Sequence, residues 1–273
     1  MSKQEAAVAY PPLPNSIFRF SLADHGGTSR LEDARRCRFI KRHWTDDTDH
    51  ALLILLSYLH KDGQICPQDF AQRLRIWIYQ GTLALDTVPV GLGAHTASVL
   101  TAKNYATNPA AAAHNVWLIS KYQSAPNGAL MRIHPLGAMT IVYTLDRAFQ
   151  LAAENAMTTH SDPRCIISCV IAVGIIRGLI RGEVNTEDDI YLMIERAITW
   201  YKDWRVELEM TYENHDIRAL DPVLNEDELH KWVSRDIGLS SHTFLSELTL
   251  DDPKGMGYTS RCLESGILLL RYA

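Results

Sequence analysis

From about residue 48 onward, apolar side chains recur at helical spacing, and no stretch alternates as a half-buried strand would. The run over 48–60 is apolar nearly all round and predicts a buried, central helix. Pro67 opens the next segment as a first-turn proline, Phe70, Leu74, Trp77 and Ile78 form its stripe, and Gly81 closes it. Further helices are predicted over 109–121, 135–143 and 145–157, the last capped by the Thr144 hydroxyl. Pro163 starts a long apolar helix that ends near Gly182. Thr186 and Asp189 form a cap-like pair before Ile190, Ile194, Ala197, Ile198 and Tyr201, and these two helices should pack together. A last apolar helix spans 256–271, while 207–240 is polar and mixed. The expectation is an all-α, single-domain helical bundle over 44–273, preceded by an irregular arm over 1–43.

Composition narrows the function classes. Nearly half of the 273 residues are apolar, which supports one sizeable core. The net charge of −5 comes without a basic block or aromatics interleaved with Lys and Arg, so nucleic acid is not an expected partner. Cys37, Cys66, Cys165, Cys169 and Cys262 show no CxxC pair, which supports neither a disulfide framework nor a structural zinc site. The opening residues carry no apolar leader, and the longest apolar run, Ala51 to Leu56, is too short to cross a bilayer. A cytoplasmic protein that acts on a small molecule, with no membrane partner, is expected.

Three polar clusters are candidates for chemistry. Trp44, Thr45, Asp46, Asp47, Thr48, Asp49 and His50 stand directly before the most apolar helix. They read either as an over-acidic helix cap, whose free N–H groups favour negative charge, or as oxygen ligands for magnesium. In the second cluster, Asn127 and Gly128 form a turn, and Arg132 can grip a phosphate or carboxylate. The third, Thr159 to Arg164, is a polar knot between two apolar helices in which His160 can serve as acid, base or ligand.

Together the runs WTDDTDHALLILLSYL, PNGALMRIHPLG and THSDPR, in this order, resemble the ADP-ribosylglycohydrolase family, also called the dinitrogenase-reductase-activating glycohydrolase family. GYTSRCLESGILLLR, over 257–271, is similar to a late helix of its fungal-type branch. The resemblance implies an all-helical fold with a magnesium pair at the pocket floor, where the N- or O-glycosidic bond of ADP-ribose is cut. It makes Thr45, Asp46 and Asp47 metal ligands. It places Asn127, Gly128, Met131, Arg132 and His134 on pocket loops, with His160 and Asp162 nearby.

The sequence departs from the family at two motifs. No GDALG-type motif lies upstream of Thr45, and no DxDTN-type motif follows the last helix. The expectation is therefore a weak or vestigial metal site at Thr45, Asp46 and Asp47 and no required cofactor, with magnesium as the alternative. Further ligand candidates are Asp24, Glu32, Asp33 and Glu264. The expected function is a repurposed, metal-independent isomerase or cyclase for a small apolar molecule, including pericyclic cyclisation in secondary metabolism. The alternatives are a magnesium-dependent ADP-ribosyl hydrolase and a non-catalytic binding protein. Arg132, His134 and His160 are the expected catalytic donors, in a cavity more apolar than a hydrolase pocket. The substrate contacts expected around them are Trp44, Asn127, Gly128, Met131, Asp162 and Tyr258, with Tyr143 and Met139 as further apolar lining.

Overall fold

The computed structural model describes residues 44–82, 88–89, 91–211, 248, 252 and 255–271. The predicted arm over 1–43, most of the polar segment over 207–240, and the ligand candidates Asp24, Glu32 and Asp33 lie outside the described residues. Nine helices stand among the described residues: α1 Asp46–His60, α2 Pro67–Gln80, α3 Ala94–Leu100, α4 Pro109–Ile119, α5 His134–Met139, α6 Leu145–Met157, α7 Pro163–Arg181, α8 Glu187–Thr211 and α9 Thr259–Arg271. No strand runs through these residues, and Pro126 and Tyr258 form an antiparallel bridge. The all-α expectation holds.

Local chemistry sets the helix ends. Asn108 accepts from Ala111 N (3.0 Å) and Thr144 from Arg147 N (3.3 Å), so both side chains satisfy a free donor of their first turns. At α8 the cap is reciprocal: Asp189 Oδ2 accepts from Thr186 N (2.9 Å), and Thr186 Oγ1 accepts from Asp189 N (3.2 Å). Gly182, at φ 68°, ends α7 in the left-handed region that a side chain disfavours.

The centre of the fold is α7, with α5, α6, α8 and α9 packed around it. Ile167, Cys169, Val170, Ile171 and Val173 are wholly enclosed there. This helix is long and apolar enough to cross a membrane, but 72% of the qualifying window is buried inside the fold. The run predicted to be central, α1, lies to one side against α2 and α5, and its Leu55, Leu56 and Leu59 are exposed. Hydrophobicity all round marked α1 as buried, but α7 has more partners to bury it. On α8, Ile190, Ile194, Ala197, Ile198 and Tyr201 are all buried, and α8 packs on α7 as expected.

The contact between α5 and α7 depends on a residue without a side chain. A Cβ on Gly137 would lie 2.4 Å from Ile176 Cγ2 and 2.6 Å from Ile176 Cβ, so the two helices meet where only glycine fits. Gly137→Ala should destabilise the fold by ~1–2 kcal/mol through overpacking, despite the helix propensity that alanine adds. Urea titration of the two chains measures this, and an unchanged midpoint would contradict it.

Candidate functional site

Four segments converge on an open cleft of about 930 Å³. The first turn of α1 contributes Asp46 and Asp47, and the residues entering α3 contribute Gly91, Gly93, His95 and Thr96. The loop before α5 contributes Gln123 to Gly128 and Met131, and the approach to α9 contributes Met256, Gly257 and Tyr258. Backbone pairing fastens the last two together: Asn127 N donates to Gly257 O (2.9 Å) and Thr259 N to Ala125 O (3.0 Å). Of the predicted contacts, Asp46, Asp47, Asn127, Gly128, Met131 and Tyr258 line this cleft. The lining is polar to a degree the sequence did not suggest, with His95, Thr96, Gln123, Ser124 and Asn127 beside the two carboxylates.

The acidic cluster divides by role. Asp49 is buried and accepts from Trp44 Nε1 (2.8 Å), Trp77 Nε1 (2.9 Å) and the Thr82 hydroxyl, so it pins three segments and faces no ligand. Trp44 is thereby committed to Asp49 and stays out of the cleft. Asp46 is buried with one edge at the cleft, whereas Asp47 is exposed and accepts from Thr45 Oγ1 (2.7 Å). Burial first, and then the Asp47 charge, push the Asp46 carboxyl up to about 7.

Beneath the cleft lies a closed polar layer. Arg132 is fully enclosed and donates to Gly128 O (3.1 Å), Asn155 O (3.3 Å), Thr158 Oγ1 (3.2 Å) and Thr159 Oγ1 (2.7 Å). Burial pulls its guanidinium down to about 10, so it remains cationic at neutral pH. It braces the loop from below and does not line the cleft. His160 is also buried, with Nδ1 on Thr159 Oγ1 (2.7 Å) and Nε2 unpartnered. Burial and then the nearby His95 and Arg132 hold its pKa well below the ordinary imidazole value.

Asp162 caps α7 through Arg164 N (2.9 Å), pairs with the Arg164 guanidinium (2.7 Å) and accepts from Trp117 Nε1 (2.9 Å). Arg164 passes this anchorage on to Tyr258 OH (2.7 Å), which fixes a cleft wall. His134 is exposed at the start of α5, and neither it nor Met139 or Tyr143 lines the cleft. Glu264 is buried on α9, likewise away from the lining.

The sequence reading missed α3 and with it His95. His95 Nε2 lies 3.0 Å from Thr159 O, and Nδ1 lies 2.9 Å from Ser124 Oγ. Its ring stands 4.6 Å from that of His160, centroid to centroid. The Gly93-Ala94-His95-Thr96 run was the available signal, but a helix of two turns has too short a period to register. The approach of α3 to the loop requires Gly128: a Cβ there would lie 3.0 Å from both His160 Cε1 and Thr96 Oγ1.

The donors at the α1 turn fit one hard cation in part. Two adjacent carboxylates, one of them with its ionisation disfavoured by burial and then by the charge of the other, and a threonine hydroxyl suit a magnesium ion that keeps several waters. Among the described residues, no group of three or more His, Cys, Asp or Glu is placed to hold a metal, so these do not by themselves fit a pair. No curated protein and no solved structure matches the chain. The family model for ADP-ribosylglycohydrolase matches residues 5–273, and it covers the α1 turn, the Asn127 loop and the segment before α7 that build this cleft. The chain belongs to the ADP-ribosylglycohydrolase family.

Proposed function

We propose that the cleft binds an ADP-ribosyl group and that the chain cleaves its glycosidic bond with a divalent cation held at Thr45, Asp46 and Asp47. The observation that carries this reading is the polar lining, in which both carboxylates share one cleft with His95, Ser124 and Asn127. Ser124 and His95 already bond to one another and to Thr159 O, but an apolar substrate would leave the two carboxylates and the spare Asn127 amide hydrogen desolvated without partners, at ~1–3 kcal/mol each. A phosphorylated sugar instead offers each of them a donor or an acceptor.

The chain's own residues bind and orient. Asn127 and the exposed backbone at Gly91, Gly93 and Gly257 suit phosphate and ribose oxygens, and Met131, Met256 and Tyr258 offer an apolar surface to a base. Arg132 and His160 hold the Gly128 turn from beneath, so the loop keeps its shape when substrate enters. The cation, when bound, supplies charge neutralisation and an activated water. Hydrolysis adds water across the anomeric carbon to nitrogen or oxygen bond and releases ADP-ribose and the freed side chain.

A thermal-shift series and a turnover assay test this. ADP-ribose with magnesium should raise Tm, since a ligand at a hundredfold its Kd adds ~2.7 kcal/mol to native stability. An N- or O-linked ADP-ribosylated peptide should be cleaved, with EDTA abolishing the cleavage.

A second reading, a metal-independent isomerase or cyclase, draws on the Met131, Met256 and Tyr258 wall. It predicts EDTA-insensitive conversion of an apolar polycyclic or terpenoid-like compound, with no response to ADP-ribose. That pair of results would replace the hydrolase reading.

A further inference from the structure

The geometry points to a second reactive centre in the same cleft: Ser124, with His95 as its general base and the Thr159 carbonyl as orienter, is an activated serine that takes an acyl group from a small ester. This does not rest on the glycosidic reading and needs neither cation nor ADP-ribose.

Hydrogen-bond chemistry fixes the proton positions. A backbone carbonyl can only accept, so His95 Nε2, 3.0 Å from Thr159 O, carries the ring proton. Nδ1 therefore keeps its lone pair, and the Ser124 hydroxyl, 2.9 Å away, is the donor. The result is a nucleophile bonded to a base whose other nitrogen is oriented by a third group. Burial lowers the His95 pKa, so the ring is neutral at pH 7 and its Nδ1 lone pair is available to take the Ser124 proton.

Among the described residues, the charged and titratable groups around His95 are few. Asp162 carries a charge that Arg164 balances, His160 is neutral behind the ring, and Asp46 and Asp47 share the cleft lining. Ser124 and His95 are each half-buried, and both line the cleft, so a substrate can reach them. Asn127 Nδ2 spends one hydrogen on the weak acceptor Cys262 Sγ (3.1 Å) and has a second to offer to an oxyanion in the cleft that it lines with Ser124.

The step balances without a co-reactant beyond water. Ser124 Oγ adds to the ester carbonyl carbon as its proton passes to His95 Nδ1. The carbon–oxygen bond to the alcohol then breaks, and the alcohol leaves with that proton. Water, deprotonated by the same nitrogen, adds to the acyl-serine, releases the carboxylic acid and restores the hydroxyl.

The full chain, held in EDTA, is treated with a fluorophosphonate serine reagent and mapped by peptide mass spectrometry, and 4-nitrophenyl acetate hydrolysis is followed in parallel. The expected result is one adduct per chain, on the peptide containing Ser124, and a burst of 4-nitrophenolate. The labelling rate should plateau below the pH at which an ordinary imidazole titrates. His95→Gln, with an unchanged melting curve, should slow labelling by at least ~10²-fold. If that variant fails to fold, the unmodified chain decides alone: no adduct, or adducts spread over other serines, overturns the proposal. Equal labelling of a folded His95→Gln chain overturns it too. A missing thermal shift with ADP-ribose leaves these outcomes untouched, so the two readings fail separately.

Discussion

Arg132→Met is expected to cost ~3–5 kcal/mol of folding stability and to collapse the cleft, although Arg132 touches nothing inside it. Its guanidinium reaches the Gly128 carbonyl, the Asn155 carbonyl at the end of α6, and the hydroxyls of Thr158 and Thr159. Two segments distant in sequence, the Gly128 loop and the end of α6, are thus held by one side chain. The cation itself is stabilised by the negative end of α6 and by the Phe70 ring, 5.0 Å below. Methionine matches the length but removes all four donated bonds from a dry layer, where Asn155 O keeps only Thr158 and Thr159 Oγ1 only His160 Nδ1.

Arg132→Lys should recover little, since an ammonium cannot span acceptors that a planar fork reaches in several directions. Chemical denaturation of the three chains measures the effect. A methionine variant with wild-type stability and lost turnover would make Arg132 a catalytic residue after all.

How much of this was legible depends on the range over which each feature is encoded. Helices α2, α4, α6, α7 and α8 are written locally: Pro67, Pro109 and Pro163 open three of them, Thr144 and the Thr186 and Asp189 pair cap two, and each stripe repeats over several turns. The α5 prediction over 135–143 overran, because Thr140 turns its hydroxyl back to Leu136 O (2.6 Å) and the chain leaves the helix after Met139. Convergence of the α1 turn with the Asn127 loop was legible only through the family resemblance.

Side-chain direction was not legible. Asp46 and Asp49 lie in the same first turn, yet one faces the cleft and the other is consumed by two tryptophans and a threonine. Whether an arginine grips a ligand or a helix end depends on where α6 ends, and the residues from 128 to 134 do not encode that. The same holds for His134, which follows two buried residues and still points outward.

Asp46→Asn should separate stability from function, moving them in opposite directions. The folded carboxyl, at about 7, lies above its unfolded value of 3.8, because burial and Asp47 disfavour its charge. A raised carboxyl is protonated in the fold where the unfolded chain has already ionised. The wild-type chain in EDTA therefore loses stability as pH rises from about 4 to about 7, and the loss is complete above that window. At the cleft edge, with water partly screening the pair, ~2 kcal/mol is the expected size. Asparagine keeps the shape and the acceptor oxygen but cannot ionise, so the variant should be the more stable chain at pH 8 and equal to wild type at pH 4.

Magnesium should raise the melting temperature of the wild type at pH 8 and leave the asparagine chain nearly unmoved, because a cation relieves a repulsion only where one exists. Cation-dependent turnover should fall at least ~10²-fold in the same variant, since the amide removes the charge that holds the ion. Differential scanning calorimetry at the two pH values, beside the glycohydrolase assay, reads both effects. A variant that gains stability at pH 8 and keeps full turnover would leave the acidic turn as a helix cap, with the chemistry elsewhere in the cleft.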